Sequence, residues 1–144
     1  METATILRTP ARSNVTASRE SPLRVLVVSD DALTRDLLAT LLHLGGHDVR
    51  VAQDGQNTFT LCRIYTPDVV VLDVRFRRMD VCELAKQLKA AEDGENLFII
   101  AITGAGEASD RPHSCKAGTD LHLGKPVNPE LLLRVLMRFR EVAK

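Results

Sequence analysis

An excess of charge of one sign, paired cysteines and long apolar runs are all missing from this chain, and each absence removes a class of function. The 144 residues carry 19 Lys and Arg against 19 Asp and Glu, a formal net charge of zero. A general binder of nucleic acid or of acidic membranes shows a basic excess clustered on one face, so neither partner is expected. Three cysteines, Cys62, Cys82 and Cys115, stand far apart and form no CxxC pair. That pattern suggests neither a disulfide framework nor a zinc site, and fits buried or half-buried reduced thiols. No segment approaches the roughly 20 consecutive apolar residues of a membrane span, and the N-terminus has no apolar signal-peptide core. A cytoplasmic protein is the expectation. With 44% hydrophobic residues, the chain suits one globular domain with a sizeable core.

Residues 1–22 differ from the rest. They hold seven Ser or Thr, Pro10 and Pro22, and only isolated apolar residues such as Ile6, Leu7 and Val15. Such a stretch buries too little surface to offset its ordering entropy, so it reads as a disordered tail before a domain at 23–144. From Leu23 onward buried-strand runs alternate with helical periodicity. Arg24 to Val28 reads as a strand; Asp31 to Leu44 as a helix with Leu33, Leu37, Leu38, Leu41 and Leu42 on its inner face, stopped by Gly45 and Gly46. Asp48 to Ala52 is a second strand, and Asp54 and Gly55 lead into a helix over Gln56 to Tyr65 that Pro67 ends. The four apolar residues Val69 to Leu72 and Asp73 form a third, fully buried strand. A helix near Val81 to Ala91 follows, then a strand at Leu97 to Thr103, a short helix at Arg111 to Lys116 whose end Gly118 marks, and a strand at Leu121 to Leu123. Asn128 and Pro129 supply the N-cap and first turn of a last helix, with Leu131, Leu132, Val135, Leu136 and Phe139 inward.

Five strands and five helices in strict alternation, without an internal repeat, require right-handed crossovers. The expected fold is α/β: a doubly wound, five-stranded parallel sheet in the flavodoxin-like order 2-1-3-4-5, with helices on both faces. In that order a crevice opens at the carboxyl ends of the first and third strands. Asp30 follows the first strand, Asp73 ends the third, Thr103 ends the fourth and Lys125 follows the fifth. Four polar residues far apart in sequence thus converge on one edge.

With those residues in place the chain resembles the receiver domains of two-component response regulators. The resemblance runs over about 120 residues from Leu23 and rests on an ordered set: VLVVSDD at 25–31, PDVVVLD at 67–73, ITG at 102–104 and LGKP at 123–126. It implies that Asp73 accepts a phosphoryl group from a histidine kinase or a histidine phosphotransfer protein. It implies further that Thr103 and Lys125 contact the phosphate. Mg2+ would be held by Asp30, Asp73 and the backbone carbonyl of Arg75. Thr103 and His122 would form the switch that alters the surface offered to a downstream target. The chemistry asks for such residues: a carboxylate attacks phosphorus only when a cation and an ammonium offset the repulsion between like charges. The length matches a stand-alone receiver.

Departures from the family pattern are equally informative. Aligning Arg35 with the basic residue common in the first helix puts Ser29 where the first of two acidic residues usually stands. Asp30 then keeps the metal position, Asp31 becomes a helix N-cap, and Mg2+ should bind weakly. Arg77 stands where proline is usual, Val81 where glycine is usual, and His122 where an aromatic is usual, as a half-buried side chain. Two functions follow. One is a phosphoacceptor that signals by a conformational switch; the other is a degenerate receiver acting as a phosphorylation-independent interaction module. An enzyme is not expected: the topology could hold flavin, but Ser29, Asp30 and Asp31 would repel its phosphate.

Overall fold

The computed structural model describes residues 22–73, 81–91, 96–103 and 118–143. Five strands, β1 (Arg24–Ser29), β2 (Asp48–Ala52), β3 (Val69–Asp73), β4 (Phe98–Thr103) and β5 (Leu121–Gly124), form one sheet in the order β2-β1-β3-β4-β5. Every strand pair is parallel. Four helices are described: α1 (Ala32–Leu44), α2 (Gly55–Tyr65), α3 (Val81–Ala90) and α4 (Pro129–Ala143). The expected flavodoxin-like order is the observed one. The tail at 1–22, except Pro22, and the expected short helix at 111–116 lie outside the described residues.

Alternation along each strand divides the core in two, because successive side chains in a strand point to opposite faces. Leu26, Val28, Val70, Leu72, Ile99 and Ala101 meet Leu84, Ala85 and Leu88 of α3, with Phe59 and Cys62 of α2 packed against them. Val25, Val27, Val69, Val71, Ile100 and Ile102 meet Leu38 and Leu42 of α1 and Leu132 and Leu136 of α4. Ser29 and Asp73 continue the alternation toward the α1 and α4 face, and they are register partners. Burial pushes the half-buried Cys62 thiol up to about 11, which fits an inert reduced cysteine.

Two expectations about helix faces are corrected. Leu33 and Leu37 are 67% and 62% exposed, and of the five α1 leucines expected on the inner face only Leu38 and Leu42 are fully inward, with Leu41 partly so. At 3.6 residues per turn the five leucines cover about half the helix circumference, more than one sheet contact can bury. Leu131, in the first turn of α4, is 41% exposed. Gly118 has a role that sequence punctuation did not suggest: a Cβ there would sit 2.7 Å from the Lys86 backbone N and 2.9 Å from the Ala85 carbonyl carbon. Its absence of side chain lets the approach to β5 lie directly on α3.

Candidate functional site

All five residues of β3 are buried, so Asp73 reaches the carboxyl edge of the sheet already withdrawn from water, at 3% exposure. Lys125, immediately beyond β5, places Nζ 2.7 Å from Asp73 Oδ1. The lysine side chain is 38% exposed and the aspartate side chain 2%. The lysine side chain is therefore the accessible member of the pair and the aspartate the buried one. Burial holds the Asp73 carboxyl above the usual carboxylate range; the Lys125 hydrogen bond and charge oppose this, and Asp30 and Asp31 reinforce it. A carboxylate so placed is short of positive charge.

Asp30 follows β1 on the same edge. Its Oδ1 is buried and has no hydrogen-bond partner among the described residues, a costly state for a carboxylate oxygen unless something else meets it. Ser29 is fully buried and satisfied within its own loop: Oγ donates to the Asp31 carbonyl at 3.3 Å and accepts from the Asp31 N–H at 3.1 Å. It adds no charge to the edge. Asp31 is the N-cap of α1, accepting from the Thr34 N–H at 3.0 Å, as its position suggests. Arg35 Nη1 donates to the Ser29 carbonyl at 2.9 Å, which fixes this loop against α1.

Thr103 ends β4 in register with Gly124, one residue before Lys125, so its backbone lies at the same edge. Asp30, Asp73, Thr103 and Lys125 thus all lie at the carboxyl edge of the sheet. His122 is exposed rather than half-buried, and its Nε2 lies 2.7 Å from Thr119 Oγ1. Arg75, Arg77 and Arg78 lie outside the described residues. What sequence reasoning missed is a cavity of about 710 Å³ beside the Asp73–Lys125 pair, walled by Leu37, Leu41, Pro126 and Val127. The outward leucine stripe of α1 was its signal.

A family model, the response regulator receiver domain, matches residues 25–137. The chain belongs to this family. Among curated relatives it is 39% identical over 120 residues to the response regulator MprA of Mycolicibacterium vanbaalenii, a match covering 81% of this chain and 51% of that protein. It thus spans about half the length of that relative. Among solved structures, a putative response regulator from Chloroflexus aurantiacus is similar with TM-score 0.75 and 26% identity, over 84% of this chain and 99% of that one. The receiver domain of sensor histidine kinase PA1611 from Pseudomonas aeruginosa, with magnesium coordinated in its active-site cleft, is similar with TM-score 0.74 and 25% identity, over 84% and 99%. Among the described residues of this receiver no group of three or more His, Cys, Asp or Glu side chains is clustered as metal ligands. No helix among them is long and apolar enough to cross a membrane.

Proposed function

We propose that this receiver domain is a phosphoacceptor, not an enzyme acting on a separate substrate. It takes a phosphoryl group on Asp73 from the phosphohistidine of a histidine kinase or phosphotransfer protein. The observation that carries this reading is the Lys125 ammonium 2.7 Å from a buried Asp73 carboxylate, beside an Asp30 oxygen with no partner among the described residues. In the transfer an Asp73 oxygen bonds to phosphorus while the P–N bond breaks and its electron pair returns to the imidazole. Lys125 then exchanges a carboxylate partner for a phosphate oxygen, a stronger charge-assisted contact. Thr103, at the same edge, would donate its hydroxyl to the phosphate, and movement there with His122 would shift the population toward a second surface.

The donor set fits Mg2+, which keeps several waters and needs only one or two carboxylates besides phosphate. Asp30 and Asp73 would hold it, with the carbonyl of Arg75 as a third ligand, and the ion would neutralise charge on the phosphoryl oxygens when bound. Affinity should fall below that of a site with a third acid at position 29.

The test is intact-mass measurement after incubation with phosphoramidate or acetyl phosphate and Mg2+. One phosphoryl group should be gained, and none in Asp73→Asn. A specific observation favours a second reading, a phosphorylation-independent interaction module: Ser29 is fully buried and closed on its own loop, so the acid it replaces is not compensated by that residue. No mass gain with either donor, together with retained binding to a partner, would select it.

A further inference from the structure

The cavity beside Asp73 is built unlike a site for a phosphoryl group alone. Its polar end is the Lys125–Asp73 pair, and most of the rest is apolar: Leu37, Leu38 and Leu41 on one side, Pro126 and Val127 on the other. Its volume of about 710 Å³ falls within the roughly 300–1,000 Å³ of small-ligand sites. A single exposed leucine needs no explanation. Leu37, however, is 62% exposed and is also a wall of this concave space, while Leu38 and Leu42 already supply the packing of α1 on the sheet.

Charge specifies the occupant. Of the pair at the polar end, the lysine side chain is the accessible member and the aspartate the buried one, so among its described walls the cavity offers an arriving molecule an ammonium at one end and, apart from Thr34, aliphatic surface elsewhere. That combination fits an amphipathic anion. A phosphoryl head suits it best, because it can both accept from Lys125 and react with the carboxylate below.

We infer that the cavity binds small phosphoryl compounds carrying an apolar body of about aromatic-ring size, and that acyl phosphates of this kind are preferred direct phosphodonors to Asp73. The donor half rests on the phosphoacceptor reading above; the binding half does not. For an acyl phosphate, a bond forms between an Asp73 oxygen and phosphorus. The bond from phosphorus to the acyl oxygen breaks, and its electron pair leaves on the released carboxylate. No proton, oxidant or reductant is needed. In-line displacement directs the leaving group away from Asp73, where the apolar walls can hold it.

The experiment compares benzoyl phosphate with acetyl phosphate as donors to the full chain, by intact mass, for wild type, Leu37→Asn and Leu37→Met. Exposure of Leu37 spares the fold. Burying a ring in place of a methyl group is worth about tenfold, so the ratio of the two initial rates should fall about tenfold in Leu37→Asn and hold in Leu37→Met. Using the ratio cancels the intrinsic reactivities of the donors. In parallel, benzylphosphonate, which cannot transfer its phosphorus, is titrated by NMR and should shift resonances of Leu37, Leu41 and Val127. Equal ratios in all three proteins, with no benzylphosphonate binding, would overturn the inference and leave a working phosphoacceptor intact. Benzylphosphonate binding that Leu37→Asn abolishes, without transfer from any donor, would support the binding site and overturn the phosphoacceptor reading.

Discussion

At the amino-terminal end of the sheet, Asp68 and Asp120 accept backbone N–H groups from Arg24 at 2.8 Å and Ile99 at 2.7 Å, and Lys89 lies 2.9 Å from Asp120. At the carboxyl end, Asp30 keeps a buried oxygen with no partner among the described residues, and Asp73 is held above the usual carboxylate range by burial. The same residue type stands just outside or at the end of a strand in all four cases. What differs is whether the fold supplies its partners. At the amino end the carboxylates take up N–H groups that a strand start leaves unpaired, and so stitch β1 to β3 and β4 to β5. At the carboxyl end Asp73 has the Lys125 ammonium, while Asp30 Oδ1 has no partner among the described residues, which is the state a site for a cation and a phosphoryl group requires. Stability is concentrated at one end and reactivity at the other.

Breaking the stitched end should have the largest effect. Asp120→Ala removes the acceptor of the N–H of buried Ile99 and the partner of Lys89, and should cost about 3 kcal/mol in urea denaturation. Asp120→Asn keeps an acceptor and should recover about half of that loss.

A second amino-end group gives a pH signature. His47, just before β2, is buried with no partner for Nδ1 among the described residues. Burial, with a smaller push from Arg140, lowers it from 6.5 to about 4. Above pH 6.5 both folded and unfolded forms are neutral there, so the residue contributes no pH dependence. As pH falls from about 6.5 to about 4 the unfolded chain takes up a proton that the folded one refuses, and stability drops by about 2–3 kcal/mol. His47→Gln should flatten the urea midpoint across that window while other titrating groups keep their slopes. An unchanged slope would show that this ring is not the proton-linked group.

The sheet order was legible because it depends on features written locally: four-residue apolar runs, Gly and Pro punctuation, and the Asn128 cap, which accepts from the Glu130 N–H at 3.0 Å. The edge residues were legible because a parallel sheet places every strand's last residue on one side. Less legible were properties that depend on how far neighbours extend. Leu33 and Leu37 looked like core because periodicity gives a face but not its width, and the width is set by how much sheet α1 can reach. His122 looked half-buried because position in a strand does not say what covers its face. Gly118 looked like a helix stop, whereas its requirement comes from the α3 backbone far away in sequence.

At the reactive end the sign of the effect should reverse. Asp73→Asn removes a carboxylate whose burial outweighs its lysine, and should stabilise the domain by about 1 kcal/mol at pH 7, a usual gain when an unfavourably buried functional residue is neutralised. Because the raised carboxyl binds its proton more readily in the folded state, the wild type loses this stability as pH rises through the usual carboxylate range to the elevated folded value. The variant should lack that loss. Adding Mg2+ should narrow the gap between the two proteins, since a cation that binds the folded state stabilises only the protein that holds it. A destabilised Asp73→Asn would mean that Lys125 outweighs burial, and the contrast between the two ends would then rest on Asp30 alone.

The smallest change is expected at His122. Its ring is exposed in this conformation and its Nε2 lies 2.7 Å from the Thr119 hydroxyl, so His122→Phe should alter stability by less than about 0.5 kcal/mol. The substitution matters only if a second conformation buries position 122. A phenyl ring gains from burial what an imidazole must partly forfeit by desolvation, so the variant should favour that conformation. Hydrogen exchange of β5 and α4 with and without acetyl phosphate and Mg2+ measures the difference. Protection that grows more in His122→Phe than in wild type, at unchanged resting stability, would separate switching from folding at this residue. Equal protection would confine the response to Thr103 and Lys125, and the reactive end of the sheet would communicate through the phosphate contacts alone.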